Sequence, residues 1–120
     1  MKPLVYVAGP ITSEPFACVR NANEAFTWLR TIGCVPFCPQ WSVISEMVTP
    51  RSYEAWMAYD FEVIEHCDAL LFLPGESPGR DSEIELAHQL GIPVFEFALA
   101  KSRRQMPTWV DRHIAAEVAS

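Results

Sequence analysis

Asp60 is the residue whose setting most demands a chemical explanation. A helix over 52–67, at about 3.6 residues per turn, places Tyr53, Trp56, Met57, Asp60, Phe61, Ile64 and Cys67 on one face. Asp60 is the only charge on that stripe, while Glu54, Glu62 and Glu65 fall on the opposite, solvated side. A carboxylate inside an apolar stripe has to be paired, hydrogen-bonded or put to use as an acid, base or ligand group. The plain alternative is a structural aspartate satisfied by backbone N–H groups.

Two loops carry further candidates. The stretch Ala8–Pro15, AGPITSEP, offers a glycine for close backbone approach (Gly9), then Pro10 and Ile11, with hydroxyls at Thr12 and Ser13. The stretch Pro74–Glu83, PGESPGRDSE, combines Gly75, Gly79, Ser77, Ser82 and Arg80 with a helix start. Unpaired N–H groups and a partial positive charge at a helix N-terminus suit an anion, and a guanidinium fork adds to that. Neither loop is a Walker A or a GxGxxG sequence. Ser82-Glu83-Ile84-Glu85 also fits a capping box, which would leave Glu85 a structural helix starter.

These residues need a frame to bring them together. Leu4–Ala8 is a continuous apolar run ended by Gly9-Pro10 and reads as a buried strand. A helix follows from Phe16 to Ile32, stopped by Gly33. Cys34–Phe37 reads as a short strand, and Pro39–Pro50 as a loop with one helical turn. The helix from Ser52 to Cys67 takes Ser52 as its N-cap. Strand Asp68–Leu73, a helix over Asp81–Leu90 closed by Gly91, strand Pro93–Phe97 and a helix from Pro107 to Val118 complete the chain. Strands alternating with helices imply an α/β domain over 1–120. It would be a small doubly wound parallel sheet of four to five strands flanked by helices. Ligands in such sheets bind beyond the carboxyl ends of the strands, where both loops fall. Trp41 follows the second strand near that edge and can stack on a planar ring.

Composition narrows the function classes. The chain has 120 residues, 50% hydrophobic and 20% charged, with a formal net charge of −6. An acidic chain lacks the basic footprint of a nucleic-acid binder. No apolar run approaches a membrane span, and the N-terminal stretch reaches Gly9-Pro10 too early for a signal peptide, so the cytoplasm is expected. Cys18, Cys34, Cys38 and Cys67 form no CxxC and have no histidine at ligand spacing; reduced thiols and no metal are expected. His66, His88 and His113 are scattered along helices as surface or packing residues.

Tyr6-Val7-Ala8-Gly9-Pro10-Ile11 resembles the opening of the nucleoside 2-deoxyribosyltransferase-like superfamily. Trp56–Asp60 and Cys67–Gly75 resemble its middle. Ser77–Ala87, with Gly91-Ile92-Pro93-Val94, is similar to its catalytic helix and last core strand. The likeness runs over residues 3 to 98 and is greatest to small bacterial and phage members. It implies cleavage of an N-glycosidic bond in a nucleoside or nucleotide, without a cofactor. Periodicity leaves Glu83 and Glu85 open; the resemblance places the catalytic carboxylate on Glu85, in Glu85-Leu86-Ala87. It also places the orienting tyrosine on Tyr6 and the helix aspartate on Asp60. The family's acid before the catalytic helix is replaced here by Ser77-Pro78-Gly79-Arg80, with Glu76 too far upstream. Arg80 with Ser77 and Ser82 resembles the nucleotide N-hydrolase branch, which accepts a 5′-phosphate. The resemblance also implies a homodimer or larger assembly. A second reading of the same features is a nucleotide-binding or sensing module without catalysis.

Overall fold

The computed structural model describes residues 1–11 and 14–119. Thr12, an expected ligand contact, lies outside them. Four strands form one parallel sheet: β1 (Leu4–Ala8), β2 (Val35–Phe37), β3 (Ala69–Phe72) and β4 (Val94–Glu96). Their spatial order is β2-β1-β3-β4. The chain thus winds from β1 to one side, then crosses back to place β3 on the other. Tyr6 pairs with Leu70 and Ala8 with Phe72 across the central two strands. The strand order reverses between β1 and β3, so the crevice at their carboxyl ends is the ligand position for this topology.

The central strands β1 and β3 are buried on both faces, as continuous apolar runs require, while the edge strands β2 and β4 are partly open. Val5, Val7, Ala69 and Leu71 face α1 (Pro15–Thr31) and α5 (Ala100–Ala119), whose Ala22, Ala25, Leu29, Met106 and Val110 complete that core. Tyr6, Ala8 and Leu70 face α3 (Tyr53–Glu65) and α4 (Pro78–Leu90), which supply Ile64 and Ala87. Each fully buried leucine, isoleucine or valine contributes about 1.5–3 kcal/mol. Asp68, at the entry to β3, accepts the Leu4 N–H at 2.8 Å and so ties the amino ends of the central strands together.

Three segments differ from the sequence expectation. Between Pro39 and Pro50 the chain makes a 3-10 turn (Pro39–Trp41) and then the seven-residue helix α2 (Ser42–Val48). No residue of α2 is buried, so no amphipathic stripe announces it. Helix α4 begins at Pro78, a turn before Asp81. Its cap is Ser77, which accepts the Arg80 N–H at 3.1 Å, so the Ser82 capping box is not the helix start. Gly91 closes α4 in the left-handed region, at φ 74°, as its C′ position requires. Helix α5 begins at Ala100 and runs through Pro107. Pro107 lacks an N–H for the Arg103 carbonyl, but Met106 and Val110, packed on the sheet either side of it, keep the helix continuous.

Candidate active site

The site is assembled by one strand and two helices. Tyr6 is fully buried on β1, its ring stacked on Phe37 at a 5.8 Å centroid distance. Its hydroxyl donates a hydrogen bond to the carboxylate of Glu83 on α4. Asp60, from α3, lines the same cavity as Glu83. Both carboxyls are nearly sealed from solvent, at 6% and 4% exposure for Asp60 and Glu83.

Burial governs the charge on this pair. Removal from water pushes Glu83 up to about 8; the Asp60 charge adds to the shift and the Tyr6 hydroxyl opposes it. Asp60 rises to about 6 through burial, again opposed by the Tyr6 hydroxyl. Burial and the adjacent Glu83 and Asp60 charges drive the Tyr6 phenol upward, so it remains a donor. Between about 6 and about 8 the two acids hold one proton and one negative charge between them.

The cavity around this pair has a volume of about 460 Å³. Gly9, Pro10 and Ile11 close one side of it, after β1; Ser77, Gly79 and Arg80 close the other, after β3. Gly79 lets the first turn of α4 lie against α3: a Cβ there would sit 3.3 Å from the Tyr53 hydroxyl and 3.5 Å from the Met57 sulfur. Arg80 is already committed to its own loop. Its Nη1 donates to the carbonyls of Leu73, at 2.9 Å, and of Gly75, while Nε and Nη2 both reach Asp81 Oδ1. Of the five guanidinium N–H groups, that leaves one for a ligand.

Glu85 and Ser82 are placed elsewhere. Two residues along a helix is a rotation of about 200°. Glu85 is exposed and shares a surface hollow with Ser82, Phe61 and Gln89. The expected hydrogen bond from Tyr6 to Glu85 is therefore corrected to Glu83. The signal for Glu83 was its spacing from Ala87: at i and i+4 the two share the face that packs on the sheet. Trp41 is also outside the carboxylate cavity. It lines a neighbouring cavity of about 640 Å³ between the end of β2, α2 and α3, which Asp60 borders from the other side. Sequence reasoning missed the rest of that wall, above all Arg51 and Tyr59.

Fold and site define an α/β domain of the nucleoside 2-deoxyribosyltransferase-like fold, with a buried acid pair at the strand crossover. Two solved structures share the architecture. One is a 2-desoxiribosyltransferase from Leishmania mexicana: TM-score 0.61, 20% identity, covering 79% of this chain and 63% of that one. The other is a 2-deoxyribosyltransferase from Bacillus psychrosaccharolyticus: TM-score 0.59, 24% identity, covering 78% of this chain and 70% of that one. The chain belongs to the family described as a domain of unknown function, DUF4406, whose model matches residues 3–96. No curated protein matches it. Among the described residues, no helix is long and apolar enough to cross a membrane.

Proposed function

We propose that this protein breaks the N-glycosidic bond of a nucleoside or a nucleoside 5′-monophosphate, with Glu83 as nucleophile. The observation that carries this reading is the hydrogen bond from buried Tyr6 to Glu83, a carboxylate that lines one cavity together with Asp60. Its support is chemical: such displacement uses one carboxylate and one carboxylic acid side by side, and this pair holds a single proton near neutrality. The likeness of fold to two deoxyribosyltransferases agrees with it.

In the first step a Glu83 carboxylate oxygen attacks the anomeric carbon. The carbon–nitrogen bond breaks, its electron pair goes to the base, and Asp60 delivers a proton to the base nitrogen. Positive charge developing on the sugar draws the negative charge of the pair to Glu83, with the proton on Asp60. Tyr6 holds the carboxylate in line by its hydrogen bond. In the second step water attacks the same carbon, Asp60 takes the water proton, and the glycosyl ester opens to return the Glu83 carboxylate. A second base in place of water completes a transfer. Gly9, Pro10 and Ile11 and the Ser77–Arg80 turn hold the sugar end.

The test is release of free base from a panel of nucleosides and 5′-monophosphates, followed chromatographically. Wild type is expected to release base, Glu85→Gln to match it, and Glu83→Gln to lose at least about 10³-fold. Release by Glu83→Gln at the wild-type rate overturns the assignment. Nucleotide binding without any release by wild type would make the domain a sensor.

A further inference from the structure

The 640 Å³ cavity beside the acid pair is larger than the one that holds it and is built differently. Its walls are aromatic: Phe37, Trp41, Trp56 and Tyr59. Trp56 is fixed in place, its indole N–H donating to Glu46 Oε2 at 2.6 Å while the Arg51 guanidinium carbon lies 5.2 Å from its ring centre. Tyr59 meets Trp56 edge-on, at 80°, and is half exposed. Trp41 leans on Phe26 and keeps 42% of its surface open. Aromatic faces left open in a preformed cavity suit a planar ring.

Arg51 supplies the polar part of this wall. Its Nη1 donates to Ser45 Oγ at 3.2 Å and to the Thr49 carbonyl at 3.1 Å, and its backbone N–H to Glu46 at 2.9 Å. These contacts hold the guanidinium at one edge. Nε and Nη2 have no partner among the described residues. Arg80, by contrast, spends all but one of its N–H groups on its own loop. Arg51 therefore carries the open guanidinium edge of the two cavities.

We propose that this aromatic cavity receives the base of the substrate, and that Arg51 selects a base with two adjacent acceptor atoms, as on the O6/N7 edge of a 6-oxopurine. The proposal rests on the N-glycosidase reading only for what is cleaved; the recognition is a property of the cavity itself. Asp60 borders both cavities, so a base here has its glycosidic nitrogen toward Asp60 and its sugar over Glu83. Arginine is a donor at every nitrogen. It pairs with the oxo and ring-nitrogen acceptors of hypoxanthine and meets the 6-amino group of adenine donor to donor.

The test measures binding of free hypoxanthine and free adenine, by calorimetry and quenching of tryptophan fluorescence, to four full-length proteins: wild type, Glu83→Gln, Arg51→Met and Tyr59→Ala. Wild type and Glu83→Gln should both bind hypoxanthine about 10-fold or more tighter than adenine. Arg51→Met should erase the preference, and Tyr59→Ala should weaken both bases. Arg51→Lys, which keeps a donor-only cation beside Trp56 but not the fork, should retain part of the preference, and separates loss of the donor from loss of the fold in the methionine variant. A wild type that binds both bases alike, or an Arg51→Met protein that keeps the preference, overturns the proposal. The two readings fail separately. Hypoxanthine preference without base release would remove the glycosidase and leave the base cavity. Base release that depends on Glu83 but is blind to Arg51 would do the reverse.

Discussion

The Tyr6 hydroxyl, at the middle of β1, donates to the Glu83 carboxylate of α4, 77 residues further on. One hydrogen bond thus joins the central strand to the helix that begins after β3, across the point where the strand order reverses. It also sets the charge: that bond lowers the Glu83 pKa against the burial that raises it. Tyr6→Phe keeps the ring against Phe37 and removes only the donor. Base release should fall about 100-fold, at the lower end of the range for loss of one positioned donor. The pH optimum should move upward, because Glu83 without its donor ionises later. A variant with the wild-type rate and profile would show that the bond is only structural.

The acid pair predicts a bell-shaped dependence of kcat/KM on pH. Below about 6 both carboxyls carry protons and no nucleophile exists; above about 8 both are ionised and no acid remains. The limbs should fall near those two values, read from initial rates over pH 4.5 to 9.5. Asp60→Asn removes the acid and should abolish the alkaline limb along with most of the activity. A flat profile across that range would deny the pair its role.

Much of this architecture was legible in the sequence. Leu4–Ala8 had to be buried on both faces, since no polar residue interrupts it, and Ser52 had to start a helix. Asp60 stood out because a lone acid on an apolar stripe has few explanations. What was not legible depended on contacts distant in sequence. Ser77-Pro78 and Ser82 are both sound helix starts, and only the path of the chain out of β3 selects the first. Glu83 and Glu85 point to opposite sides of α4, and Ala87, by packing on the sheet, fixes which of them faces inward. Helix α2 leaves Ile44, Met47 and Val48 exposed, so its residues show no buried face to read. Arg80 looked like an anion ligand because nothing local reveals that two carbonyls of its own loop turn toward it.

The cap of α4 offers a test of stability apart from chemistry. Ser77 accepts the Arg80 N–H, and removing such a cap costs about 1 kcal/mol. Ser77→Ala should therefore lower Tm by about 3–5 °C for a chain of this size. Ser82→Ala, at an exposed position within the helix, should leave Tm within about 1 °C, since alanine has the higher helix propensity. Equal losses in both would return the helix start to Ser82.

Burying Glu83 carries a stability cost whose sign follows from its raised pKa. Below about 4.5 the carboxyl is protonated in both the folded and unfolded chain, and there is no difference. As pH rises the unfolded chain gives up the proton first, while the folded chain keeps it until about 8. Stability therefore declines across that window and levels off above it. Glu83→Gln keeps an acceptor for Tyr6 and removes the ionisation. It should match wild type at pH 4.5 and exceed it at pH 9 by on the order of 5 kcal/mol, or about 15–20 °C in Tm. Thermal unfolding of the two proteins across this range reads the effect directly. A variant less stable than wild type at pH 9 would mean that the folded chain holds the Glu83 charge favourably. Burial would then no longer account for the raised pKa of this carboxyl.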